Sequence, residues 1–161
     1  MPKRKKQNKL KEKTLEKSKD NNSTEKTKDL RKDDLSEQIK QAAAGLIYIS
    51  ETDAEILLFI GKQAENISKD LLLSQTGNAA DALVAEASFT EFFARLTEIQ
   101  DWFGDEEKET VKKFVFLKEL LEKNLRDLRV FKIGKIQLDI YVVGLDAENN
   151  FLGIQTKAVE T

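Results

Sequence analysis

The chain has 161 residues, with 27 Lys and Arg against 29 Asp and Glu, no Cys and no His. Without Cys there are no disulfides, thiol nucleophiles or thiolate metal sites. Without His there is no Ser-His or Cys-His nucleophile pair, and most zinc chemistry is excluded. No GxxxxGK(S/T) phosphate loop and no DxDxDG calcium loop occurs, and no apolar run reaches the ~20 residues needed to span a bilayer. A charged N-terminus without a hydrophobic stretch behind it does not read as a secretory signal. These exclusions predict a soluble, cytoplasmic protein with little means of doing chemistry by itself; it is read as not an enzyme and without a cofactor of its own, the rival being an enzyme that uses carboxylates alone.

The net charge of −2 conceals two unlike segments. Residues 1–34 hold 13 Lys and Arg against 7 Asp and Glu, a net +6, which leaves −8 for the other 127 residues. The first segment has only Met1, Leu10, Leu15 and Leu30 as large apolar residues, and every aromatic lies beyond residue 47. A stretch so polar cannot bury enough surface to offset its ordering entropy. The sequence thus predicts a disordered basic arm over 1–33, with transient helix near Leu10–Lys19, and one globular domain over 34–161. Within the arm, Lys3-Arg4-Lys5-Lys6 is either a solubilising run or a nucleic-acid patch. The second option gives an alternative function, a nucleic-acid-binding protein acting through the arm, whose affinity would fall steeply with salt.

In the domain, Asp34 and Glu37 form a capping-box-like pair opening a helix to about Gly45, with Leu35, Ile39, Ala42 and Leu46 on one stripe. Glu55–Ile60 reads as a buried strand stopped by Gly61. Asn66–Gln75 reads as a short helix with Gly77 after it, and Ala82–Ala87 is compatible with a strand. Ser88 and Glu91 form a cleaner capping box, starting a helix to about Glu98 with Phe89, Phe92, Phe93 and Leu96 inward. Asp105 caps the longest predicted helix, Glu106–Leu125, along which Val111, Phe114, Leu117, Leu121 and Leu125 recur every three or four residues. The period then changes to two. Arg129–Ile133 is a strand, Ile136, Leu138, Ile140 and Val142 alternate along the next, Gly144–Asn150 connects, and Phe151–Val159 returns antiparallel. Helices in the middle and strands at the end predict an α+β fold.

Few residues stand out for chemistry. Asp105, Glu106 and Glu107 complement a helix dipole and need no other role. Three polar sets are more distinctive. Ser50-Glu51-Thr52 is a polar step after the apolar Leu46–Ile49. Gln100-Asp101-Trp102-Phe103-Gly104 is an inter-helix loop holding the only Trp, a residue type enriched at interfaces. The sequence ends Val159-Glu160-Thr161, close behind the last strand, which would give the final residue a defined direction. The hydroxyl and carboxylate oxygens there are hard donors of the kind Mg²⁺ prefers.

Together, Ser50-Glu51, Gln75-Thr76-Gly77, Gln100-Asp101-Trp102, Leu138-Asp139-Ile140-Tyr141-Val142-Val143-Gly144 and the ending Val159-Glu160-Thr161 resemble the nuclease A inhibitor family. The resemblance runs from about Leu35 to Thr161 and leaves residues 1–34 aside. It implies a three-layer α/β/α sandwich with antiparallel C-terminal strands. It also implies a partner, a sugar-non-specific, Mg-dependent nuclease of the ββα-metal class, bound by an inhibitor that is a monomer beforehand. By position, the family's metal-engaging terminal Thr falls on Thr161, which would meet the partner's Mg²⁺ in trans, and its partner-binding Glu and Gln fall on Glu51 and Gln100. Trp102 joins this set by its place beside Gln100. The net −8 of the domain suits steering toward a basic cleft. Asp53–Ser68 departs from the family, which carries prolines and a Trp there.

Overall fold

The computed structural model describes residues 32–161. The predicted arm, 1–33, lies outside the described residues except for Lys32 and Asp33. Those two already belong to the first helix, α1 (Lys32–Ala43). Asp34 therefore sits in the first turn beside Asp33, where carboxylates complement the helix dipole, and is not its cap. The buried stripe is Leu35, Ser36, Ile39 and Ala43; Ala42 is only half-buried.

After Leu46, β1 (Ile47–Ile49) and β2 (Asp53–Glu55) form a small antiparallel hairpin with Ile49 opposite Asp53. Its tip is Ser50-Glu51-Thr52. The next strand, β3 (Leu57–Gln63), differs from the expectation of a buried strand ending at Gly61. It runs through Gly61 at the sheet edge, paired among the described residues with the final strand alone, and Leu57 and Ile60 are about half exposed. An apolar run cannot by itself distinguish a strand with two neighbours from one with a single neighbour. Gly61 is where the next helix approaches: a Cβ there would collide with the Gln75 side chain and press on Phe151. That Gln75 Oε1 accepts a bond from the Lys62 N–H at 2.7 Å.

Helix α2 (Lys69–Gln75) starts three residues later than predicted, because Ser68 caps it, its Oγ accepting from the Leu71 N–H at 3.1 Å. Gly77, at φ +75°, reverses the chain after it. β4 (Val84–Ala87) leads into α3 (Phe89–Leu96), whose cap is Ser88 as predicted, though the helix ends before Glu98. The long helix α4 (Asp105–Asn124) takes Gly104 as its N-cap rather than Asp105. There the Glu107 carboxylate accepts from the Gly104 N–H at 2.9 Å, so the reciprocal bond of a capping box forms without a capping side chain.

Three long strands follow, β5 (Arg126–Gly134), β6 (Gln137–Leu145) and β7 (Asn150–Val159). The main sheet is antiparallel with order β3-β7-β6-β5-β4. As the central strand, β6 is buried on both faces beyond Ile140, so the predicted alternation survives only at its start. β6 also runs through Gly144 to Leu145, shortening the expected connector to residues 146–149. In that turn the buried Asp146 gathers donors: Oδ1 accepts from the N–H groups of Glu148 and Asn150, both at 2.8 Å, and Oδ2 accepts from Asn150 Nδ2 at 2.9 Å. Asn149 adopts φ +64°, a conformation that Asn tolerates better than most residues.

One core cluster joins Leu72 and Leu73 of α2 to Phe59, Phe131, Tyr141 and Phe151 of the sheet. Sheet residues of the other parity, among them Val130, Ile140, Val142 and Ile154, are buried as well. α1 lies against β3 and β7, α3 against β5, and α4 against α1 and α3. The fold is thus α+β, with four helices and seven strands in antiparallel sheets among the described residues. No helix among them is long and apolar enough to cross a membrane.

Candidate partner-binding site

The small hairpin is fastened to the end of β7. Ser50 Oγ donates to the Thr52 carbonyl at 3.0 Å and accepts from the Val159 N–H at 3.0 Å. The Glu51 N–H donates to the Val159 carbonyl at 3.3 Å. Beyond β7, the Glu160 N–H donates to the Ile136 carbonyl at 2.9 Å. The last residue is then held by a side chain: Glu51 Oε2 accepts the Thr161 N–H at 2.8 Å and the Thr161 hydroxyl at 2.7 Å. These bonds, the hydroxyl's first and the amide's second, hold the Glu51 carboxyl below its ordinary range. Two residues 110 positions apart in sequence, both expected at the site, are therefore in direct contact.

Gln100 and Trp102 share a second locus, the segment 97–104 between α3 and α4. The Gln100 carbonyl accepts from the Phe103 N–H at 3.0 Å, closing a turn. Trp102 projects from it with 74% of its surface exposed, its ring edge-on to Phe103 at 4.6 Å. A single fully packed Trp would cover the core; this one is held by a neighbour and faces solvent.

Between the two loci lies a groove of about 540 Å³. Tyr48, Ile49, Phe92, Trp102, Phe103 and Lys132 are among its lining residues. Ile49 is 71% exposed, and Tyr48 stacks on Phe92 at 5.5 Å. Lys132 pairs with Glu160 at 3.7 Å, so successive residues diverge: Glu160 turns toward the groove and Thr161 toward Glu51. Burial first, and then the Glu160 charge, push the Tyr48 phenol up, with Arg95 opposing. Sequence reasoning named Glu160 as a carboxylate of the C-terminal set but missed Tyr48 and Lys132 as parts of this surface. Lys132 was hidden in an otherwise apolar strand segment, although a Lys between Phe131 and Ile133 already signalled a polar environment.

Among the described residues no group of three or more His, Cys, Asp and Glu could hold a metal ion. The surface instead offers exposed oxygen donors at one locus, an exposed aromatic at the other and an apolar groove between them, a combination suited to contacting another macromolecule. A family model described as nuclease A inhibitor-like protein matches residues 33–161.

The chain belongs to the nuclease A inhibitor-like family. The match spans both loci and ends at Thr161. It agrees with the resemblance read from the sequence and points to a nuclease as partner and to a non-enzymatic inhibitory role. Among curated proteins, none matches the chain. For this nuclease A inhibitor-like chain, the matched segment includes every residue of the two loci and of the groove between them.

Proposed function

We propose that the protein inhibits a sugar-non-specific, Mg-dependent nuclease of the ββα-metal class by setting Thr161 at the enzyme's catalytic metal. Glu51, Gln100 and Trp102 complete the contact. The observation that carries this reading is the fastening of Thr161: an exposed residue at the end of a strand, held by two hydrogen bonds, within a chain of an inhibitor family.

The donor set fits such a metal. Thr161 carries a hydroxyl oxygen, and Glu51 keeps Oε1 outside its two bonds to Thr161; both are hard ligands. When bound in the nuclease, Mg²⁺ stabilises charge developing on phosphate oxygens and takes oxygen ligands. Thr161 occupies the place a phosphate oxygen would need, and no phosphodiester is presented for cleavage. Trp102 packs against the enzyme surface away from that point, while Gln100 supplies amide hydrogen bonds. Such an interface is of standard size, ~1,600 Å² in total.

The three-layer α/β/α arrangement belongs to the same proposal. It is supported by α2 sharing the Phe131 and Phe151 cluster, while α1 and α3 pack on the sheet through other contacts. We also place the protein in the cytoplasm, as a monomer before it meets its partner.

The test is titration of the protein into a nuclease of this class while DNA cleavage is followed. Stoichiometric loss of cleavage is expected. A variant extended by one residue after Thr161 should inhibit roughly 100-fold less, the scale of an interface hot spot. Full inhibition by the extended variant would refute the placement of Thr161 at the metal.

A further inference from the structure

A tight turn between two antiparallel strands ordinarily carries Gly, Asn, Asp or other polar residues, which suit its backbone and stay in water. The turn joining β5 to β6 carries Lys135 and Ile136 instead. Ile136 is 50% exposed, so it adds little to the core, and Leu83, just before β4, is more exposed still. Single apolar residues scattered over a surface need no explanation. These two are not scattered. The Gly134 N–H donates to the Leu83 carbonyl at 2.9 Å, and the Ile136 carbonyl accepts from the Glu160 N–H at 2.9 Å. At Gly134, φ +123°, a Cβ would collide with the Gln137 carbonyl, so the turn has one tight course.

Those bonds set Leu83, the β5–β6 turn and the chain end side by side at one end of the sheet, following its order β7-β6-β5-β4. Neighbouring strands lie ~4.8 Å apart, so β4 is about 14 Å from β7. A round contact of ~800 Å² on one partner extends about 16 Å from its centre. A protein seated on Thr161 therefore covers the turn and reaches β4. The other exposed large apolar residues among those described are distributed unevenly too. Ile47, Ile49 and Trp102 line the groove, and Ile99 lies in the Trp102 segment. With Leu83 and Ile136 these make six of nine; the other three are Leu57 and Ile60 on β3 and Phe116 on α4.

We infer that the β5–β6 turn and the start of β4 form an apolar flank of the nuclease-binding surface, with Ile136 and Leu83 packing on an apolar rim beside the enzyme's metal cleft. This rests on the nuclease-inhibitor reading above and extends the contact beyond the residues assigned there. Lys135 has the wrong charge for the floor of a basic cleft, which puts this flank on the rim. Water leaves apolar surface on both partners, and that burial stabilises the complex without a matching polar group. The turn is already tied by backbone bonds on both sides, so little order is lost when it is covered.

The experiment titrates the full chain into a sugar-non-specific, Mg-dependent nuclease while DNA cleavage is followed. Ile136→Ala should weaken inhibition roughly 10-fold and Ile136→Asp roughly 100-fold, because a buried unpaired carboxylate costs more than a lost contact. Leu83→Ala should weaken it roughly fivefold. Ile60→Ala, at a residue of nearly equal exposure (48%) on β3, should leave inhibition within about twofold of the parent's. Circular dichroism checks that each variant is folded. One readout needs no variant: saturation with the nuclease should shift the Ile136 δ1-methyl NMR signal of the unsubstituted protein and leave that of Ile60 in place. Inhibition by Ile136→Asp equal to the parent's, or an Ile136 methyl unmoved in the complex, would overturn the inference alone. A dimer of the unsubstituted protein in sedimentation, split by Ile136→Asp with inhibition intact, would overturn it in favour of a contact between two copies of the chain. If the unsubstituted protein inhibits no such nuclease, the functional reading fails and this inference with it.

Discussion

Replacing Asp146 by alanine should destabilise the domain by about 3–5 kcal/mol. Asp146 is 2% exposed and accepts three hydrogen bonds, two of them from Asn150, which is itself 6% exposed. A hydrogen bond to a charged group contributes about 1.5–3 kcal/mol net. The Glu148 N–H can find water when its partner is lost, and removing the carboxylate also removes its desolvation cost, which brings the total below a simple sum. The two Asn150 donors cannot reach water without opening the turn. Against a domain stability of about 5–15 kcal/mol, this is a large fraction. Urea unfolding followed by circular dichroism should show a midpoint lowered by about 2 M at unchanged slope, for a slope of about 2 kcal/mol/M. Asp146→Asn keeps one acceptor for the Asn150 N–H and should lose less. A cost below about 1 kcal/mol for Ala, or an Asn variant as damaged as Ala, would refute the assignment of this turn's order to the Asp146 carboxylate.

Trp102→Ala should weaken nuclease inhibition roughly 10–100-fold, as interface Trp residues do. Because Trp102 is 74% exposed, the variant's melting temperature should stay within a few degrees of the parent's, which calorimetry would check. The Glu51–Thr161 contact should respond to acid. The Glu51 carboxyl is held below its ordinary value of 4.5, so the contact is fully present at neutral pH and is lost as pH falls through that lowered value. The Thr161 amide shift, followed by NMR, should therefore titrate with a midpoint under 4.5, and a midpoint at or above it would contradict the contact. Deleting residues 1–31 should leave inhibition within about threefold of the parent, since the family match begins at residue 33. A larger loss would give the basic arm a role in the complex.

Much of the fold was readable where one residue type has a single good use. Ser88 with Glu91 fixed a helix start, and the spacing of Val111, Phe114, Leu117 and Leu121 fixed a helix face. Errors fell where the deciding interaction is distant. The edge position of β3 depends on which strands lie beside it, and nothing in Leu57–Gln63 records that β7 flanks it on one side only. Gly104 displaced Asp105 as the cap because Glu107 closes the turn from inside the helix. For the site, Glu51 and Thr161 came from resemblance, and local sequence could not have paired residues 110 positions apart. The groove between them and Trp102 was invisible for the same reason, since its walls come from β1 of the hairpin, two helices with the segment joining them, and two strands of the main sheet.

The position of β7 has a consequence for how the protein comes into being. This strand is the last of the sheet to be synthesised, yet it lies between β3 and β6, and its Gln155 pairs with Leu57, 98 positions earlier. The sheet cannot close on a nascent chain until residues 150–159 have left the ribosome. Thr161 follows two residues later, so scaffold and tip mature almost together, and a product terminated before residue 150 has neither.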